Sequence, residues 1–433
     1  MLLGRVSGSG GRRGGEKTAV GVGAQTHPLI IQPKTSHPPG TQPTLLFRIV
    51  VSMTVSVQPS VLKWARERAA LSLAELSTQL GTTTKPAPLA EWEQSGCMPL
   101  KTLEKFAQRT HVPFGYLFLD APPVETLPTI DFRSDGNSSI SVDLRDTIMA
   151  CQRRQSWYRD FIIENELDGW SNTYVATTDE ETLAVTKHIR DAIQWFPKTD
   201  HQKQNHGPVL AAFTSAVEKL GILIMRNGIV ESNTRRKLDH TEFRGFALYD
   251  PIAPLIFVNS TDHPAAQIFT LAHELVHIWL RQSALDDIDL TSIQTTERFC
   301  NHVAAELLVP METFVDVWMQ SESIDSNVMR AATTFGVSHS VVLIRAFDAG
   351  FITQAELTTA LTEATSFSEA TSKTGAGNYY YLMRSRLGQP FLEAVIHSAR
   401  SGSTLMRDAY GLLGIQKHAT FVGLETLVAG ESK

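Results

Sequence analysis

Apolar residues in this chain recur mostly at three- and four-residue intervals, interrupted near the middle by a few short apolar runs. That pattern predicts many amphipathic helices around one small sheet. Val61 to Gly81, VLKWARERAALSLAELSTQLG, breaks into a helix to about Ala70 and a second from Ser72 to about Leu80. Ser72 with Glu75 three residues later forms a capping box. A third short helix in PAPLAEWEQSG ends at Gly96, Leu100 to Thr110 forms a fourth, and Pro113 to Leu119 a fifth. Further on, Val142 to Glu166 and Glu180 to Trp195 read as helices. Ile222 to Met225, Phe246 to Tyr249 and Leu255 to Asn259 are short, apolar and partly β-branched, and are predicted strands. Beyond Pro310 the chain reads as helical to its end, with loops near 366–377 and 401–403. Asp408 to Ile415 resembles a second helix-turn-helix only faintly, and a helical cap or dimerisation element is the preferred reading.

Residues 1–52 differ in composition. Gly4 to Gly23 is glycine-rich with scattered Arg and Lys, and His27 to Pro43 is rich in Pro, Thr and His. Both compositions predict a disordered extension. Met53, just before the first helix, is the expected true start. Leu45 to Val51 is too short to span a bilayer, and no signal-peptide core follows the opening arginines.

The chemistry centres on His273-Glu274-Leu275-Val276-His277. Residues four apart on a helix lie one turn above each other on the same face. His273 and His277 can therefore grip one metal ion, with Glu274 beside them as a general base for water activated there. The surroundings support a helix from Pro264 to Arg281. Asp262 or His263 can cap it, Pro264 suits its first turn, and Ile268, Leu271, Ala272, Leu275, Ile278 and Trp279 form a buried face. The strand just before, 254–259, is expected to line a substrate groove. A catalytic zinc needs a third protein ligand. Glu297, opening a helix from Thr296 to Val309, is the best placed, 20 residues after His277. Phe299, Val303 and Leu307 bury that helix, while Glu297, Asn301, Ala304 and Ala305 lie on another side. Glu306 is a rival ligand over two turns further along. Cys300 is able to bind zinc, though a single cysteine in a helix is more often a small buried hydrophobe.

These blocks, FALYDPIAPLIFVN, FTLAHELVHIWL and ERFCNHVAAELLVP, resemble the ImmA/IrrE family of metallo-endopeptidases over roughly residues 205–320. The resemblance implies a zincin-like, gluzincin-type domain. In it His273, His277 and Glu297 would bind Zn2+ and Glu274 would be catalytic. The family's known role implies a repressor protein as substrate and a part in transcription regulation. Val276 stands where many members have glycine; it faces away from the metal. His302, Tyr249 and Tyr379-Tyr380-Tyr381 are candidate oxyanion donors, with no choice among them.

The helices between 58 and 120 resemble the XRE-type, lambda-repressor-like helix-turn-helix domain, carried by LKWARERAALSLAELSTQLG and LAEWEQSGCMPLKTLEKFA. In that fold the third helix enters the major groove. Here Thr82, Thr83, Thr84, Lys85 and Gln94 are the candidate DNA contacts, accompanied by Glu91 and Glu93 and by no arginine to grip a guanine edge. Over 58–120 seven basic residues less six acidic ones leave +1, so the domain is not a basic patch. Retention as a protein-interaction or dimerisation module is the competing reading.

The predicted fold is thus α+β. Residues 1–52 form an extension, 58–120 an all-α helix-turn-helix domain, and 121–141 a linker. Residues 142–320 form a metallopeptidase domain with a small sheet, and 321–433 a helical C-terminal region. Hydrophobic content of 42% with 19% charged residues suits globular domains, and a net charge of -6 speaks against general nucleic-acid affinity. Three widely spaced cysteines suggest reduced thiols and a cytoplasmic protein. The partners this implies are a repressor substrate, double-stranded DNA and a second copy of the chain, with no membrane. Two other functions fit the same residues: a DNA-binding regulator whose peptidase-like domain is a sensor or interaction module, and a toxin-antitoxin component.

Overall fold

The computed structural model describes residues 53–81, 87–125, 140–196, 206–286, 295–368 and 378–431. The chain falls into two compact units, Met1–Glu125 and Thr126–Lys433.

The first unit is helical. It contains α1 (Pro59–Arg68), α2 (Leu73–Leu80), α3 (Ala87–Ser95), α4 (Leu100–Thr110) and a 3₁₀ turn, Phe114–Phe118, where the sequence predicts a fifth α-helix. A small antiparallel ribbon of β1 (Thr54–Ser56) and β2 (Cys97–Pro99) was not predicted. Ser72 caps α2 as a capping box with Glu75, as expected. Val61, Leu62, Ala65, Leu76, Leu89, Leu103 and Phe106 make its core. Gly96 is required where the ribbon meets α3. Its φ is +69°, and a Cβ there would stand 2.1 Å from the Val57 carbonyl oxygen. Thr82, Thr83, Thr84 and Lys85 lie outside the described residues; Gln94 is exposed on α3.

The second unit is a sheet covered by helices on both faces. In chain order it holds α5 (Val142–Glu164), α6 (Thr182–Ile193), α7 (His206–Glu218), β3 (Leu223–Asn227), β4 (Ile229–Val230), β5 (Asn233–Lys237), β6 (Gly245–Leu248), β7 (Leu255–Asn259), α8 (Pro264–Trp279), β8 (Ala284–Asp286) and α9 (Thr295–Leu308). Among the described residues eight helices follow: α10 (Met311–Val317), α11 (Ile324–Phe335), α12 (His339–Asp348), α13 (Gln354–Ser368), α14 (Tyr379–Leu387), α15 (Gln389–Ser401), α16 (Met406–Leu413) and α17 (His418–Glu431). The main sheet runs β3-β7-β6-β8, with β3 parallel to β7 and the other pairs antiparallel. β4 and β5 form a separate two-stranded ribbon.

Alternation along the strands divides the interior in two. Ile224, Ala247, Ile256 and Val258 join the core shared by α7, α8, α9 and α12. Leu223, Met225, Phe246, Leu248, Leu255 and Phe257 join a second core with α5, α15 and α16. Both faces are dry, which is why these strands read as near-continuous apolar runs. The sequence-based role for 254–259 as a groove-lining strand is not realised. β7 is hydrogen-bonded on both sides, to β3 and β6, and all five of its residues are buried. The outer strands are β3 and β8. Among the described residues no helix is long and apolar enough to cross a membrane. Cys97, Cys151 and Cys300 are all free thiols.

The carboxyl of Glu218, at the end of α7, lies beneath the start of α15 and accepts the Gln389 backbone N–H at 3.1 Å. Burial pushes its pKa up to about 7, against the lowering effects of the Gln389 N–H and of Arg384. The folded unit therefore favours the protonated acid. The contribution of this group to stability is fully present below about pH 4.5 and is lost as pH rises towards 7, by about 3 kcal/mol. Denaturant titrations at pH 5 and pH 8 are expected to show that fall in the wild type and a flatter profile in Glu218→Gln.

Candidate metal centre

The centre is built on two helices that pack closely. α8 starts where predicted. Pro264 occupies its first turn, and the His263 side chain, not Asp262, caps it by accepting Ala265 N–H at 3.3 Å. Nearly every residue of α8 is buried, because the sheet lies on one side and α9 on another. Val276 is fully buried in the core with Leu275 and Ile278. α9 carries Glu297 in its first turn, with Phe299, Val303 and Leu307 directed into the core.

These helices bring His273, His277 and Glu297 together. The two Nε2 atoms are 3.2 Å apart. Glu297 places one carboxylate oxygen 3.2 Å from Nε2 of His273 and the other 3.7 Å from Nε2 of His277. Ligands roughly 2.0–2.1 Å from a zinc ion at tetrahedral angles stand about 3.3–3.4 Å from one another. Two of the three separations are close to that size and the third is a few tenths of an ångström longer, so the residues fit a small tetrahedral cation. The histidines are buried, while Glu297 keeps 17% of its side-chain exposure and marks the side from which the cluster is reached.

Asn301, four residues after Glu297 and so on the same side of α9, approaches the back of His273. Its Oδ1 is 2.9 Å from Nδ1. A carbonyl oxygen only accepts, so Nδ1 carries the proton and Nε2 is left with a lone pair for a cation. This is the outer support that metal-binding histidines need. The i,i+4 spacing from Glu297 was the available signal for it. Nothing in the sequence signals Gly245. That residue lets β6 pass close to α8: a Cβ there would come within 2.6 Å of Thr270, 2.9 Å of the Phe257 carbonyl oxygen and 3.2 Å of a Glu274 carboxylate oxygen. Glu274 is thus fully buried on the sheet side of α8, beside the histidines.

The competing ligands separate clearly. Glu306 is spoken for: it is ion-paired with buried Arg345, whose Nε also donates to the Val309 carbonyl at 3.1 Å. Cys300 can be grouped with the histidines as a metal-binding cluster, its sulfur 3.9 Å from Nδ1 of His277. Glu297, by contrast, faces Nε2 of both rings at once. Of the candidate oxyanion donors, Tyr379, Tyr380 and Tyr381 belong to α14, which packs with the core on the other face of the sheet. Tyr249 packs edge-on against Trp170, ring centroids 6.0 Å apart. His302 is exposed on α9, in the wall of a cavity of about 350 Å³ lined also by Asn301, Phe269, Ala305, Ile344 and Leu357.

A family model described as the IrrE N-terminal-like domain (Peptidase_M78) matches residues 217–347, from the end of α7 through α12. The match includes every residue of the cluster. A second, a domain of unknown function (DUF8813), matches 387–425, the helices that close the far face of the sheet. No curated protein matches the chain. The matched segment supports a relationship to the ImmA/IrrE family and a metallopeptidase-like character.

Purified wild-type protein is expected to hold about one zinc per chain. His273→Ala and Glu297→Ala should lose it with the fold intact, as read by metal analysis beside circular dichroism. Glu306→Gln should keep it.

Proposed function

We propose that this protein is a zinc-dependent endopeptidase that cleaves or inactivates a repressor protein, with its N-terminal helical unit serving to recruit that target. The observation that carries this reading is the convergence of two Nε2 atoms and a carboxylate at close range, with a second carboxylate, Glu274, on the helix that carries the histidines.

His273, His277 and Glu297 would hold the ion, and Asn301 would keep His273 in the metal-binding tautomer. A zinc ion bound there supplies Lewis-acid polarisation and a nucleophile at neutral pH. Glu274 takes the proton from the attacking water and returns one to the nitrogen that leaves as the C–N bond breaks. The cavity beside Asn301, apolar at Phe269, Ala305, Ile344 and Leu357, offers room for a side chain of the protein being cut.

Recruitment through protein contacts is favoured over direct DNA binding by how the first unit uses Arg66 and Arg68. Arg66 forms a two-pronged pair with Glu93 at 2.7 and 3.1 Å. Arg68 donates to Glu125 at 2.6 Å and is nearly buried. Both guanidinium groups are thereby withdrawn from phosphate contacts. Phe114, Tyr116 and Phe118 are meanwhile substantially exposed. Lys85 and the threonines beside it remain the proposed contacts should the unit bind DNA.

Co-expression with candidate helix-turn-helix repressors, followed by mass spectrometry of the products, tests the proposal. The wild type should yield defined fragments. Glu274→Gln should retain zinc and lose cleavage by about 10²-fold or more. Equal cleavage by that variant would refute the mechanism.

A further inference from the structure

Consecutive residues of α9 stand behind the two histidines. Asn301 meets Nδ1 of His273, and Cys300 meets Nδ1 of His277 at 3.9 Å. The two contacts are alike in position and unlike in chemistry: one acceptor is a hard amide oxygen, the other a soft, polarisable sulfur.

We propose that Cys300 is a positioning residue for His277: its sulfur accepts the Nδ1–H of that ring and presents Nε2 to the ion. This rests on the metal-centre reading above. The geometry argues against Cys300 as a ligand itself. The two lone-pair directions of an imidazole diverge, and Nε2 of His277 faces Nε2 of His273 and the Glu297 carboxylate. A thiol on the Nδ1 side cannot share an ion with those atoms unless the ring turns over. The alternative of a redox-reactive thiol has no support either, since Cys300 is fully buried in the core. A single helical turn, Glu297 to Asn301, therefore provides the third ligand and the supports for both others. A histidine backed by sulfur is held more weakly than one backed by an amide oxygen, so His277 is the ligand that yields first when a chelator competes.

The test uses the full-length protein loaded with Co2+ or Zn2+, as wild type, Cys300→Ser and Cys300→Ala. The cobalt spectrum should show tetrahedral ligand-field bands without a thiolate-to-cobalt charge-transfer band. Chelator competition should show metal affinity reduced about tenfold in Cys300→Ala. Cys300→Ser, which keeps an acceptor, should recover part of that loss. In histidine ¹⁵N spectra of the metal-free proteins, His277 should hold its proton on Nδ1 in the wild type and in Cys300→Ser, and mix tautomers in Cys300→Ala. A charge-transfer band that disappears in Cys300→Ser would make Cys300 a ligand and overturn the proposal. Unchanged affinity and an unchanged His277 tautomer in Cys300→Ala would overturn it too. Failure of the wild type to bind either metal would sink the metal-centre reading separately, and the tautomer spectra of the metal-free proteins would still decide Cys300.

Discussion

Two imidazoles and a carboxylate lie fully inside the second unit on one turn of α8, and burying them is costly unless each is met by chemistry that suits it. That constraint organises the surroundings. α9 must come close enough to bring Glu297 and Asn301 to the histidines, and its Cys300, Ala304 and Ala305 are small where the two helices touch. β6 must come close enough to cover Glu274, and only glycine at position 245 permits the approach. The rest of the apolar packing serves to hold these two elements at those distances.

The sheet is what makes the approach rigid. β6 and β7 are paired on both sides, so the strand against Glu274 cannot slide without breaking ladders to β7 and β8. Its opposite face is sealed by α5 and the C-terminal helices, with Phe391 and Leu392 buried against Leu223 and Phe257. A helical C-terminal region that looks separable along the chain is in this way part of the wall supporting α8. The Glu218 carboxyl beneath α15 sits in that same wall, a polar group retained where the two cores meet.

The first unit follows different physics. Its core is a few aliphatic side chains with Phe106, and Arg66 and Arg68 are used inward, against Glu93 and Glu125. Charge spent on holding the unit together is not offered to a polyanion, while the aromatic rings of the 3₁₀ turn are left at its surface.

Much of this was legible in the residues alone, for reasons of period and spacing. The i,i+4 histidines, the capped start of α8, the stripe of Phe299, Val303 and Leu307 and the capping box at Ser72 are local patterns, and local patterns survive without knowledge of the fold. The helix expected at Pro113 is a 3₁₀ turn, and β1, β2, β4, β5 and β8 are not among the predicted strands. Short segments of that kind take their conformation from pairing partners distant in sequence. Tertiary structure alone decided that β7 is an interior strand, that Glu306 is consumed by Arg345, that Gly245 underlies Glu274, and that Cys300 and Asn301 stand behind the histidines. A spacing shows which side chains share a face of one helix. Which neighbour that face meets, and at what distance, depends on how separate elements close on each other.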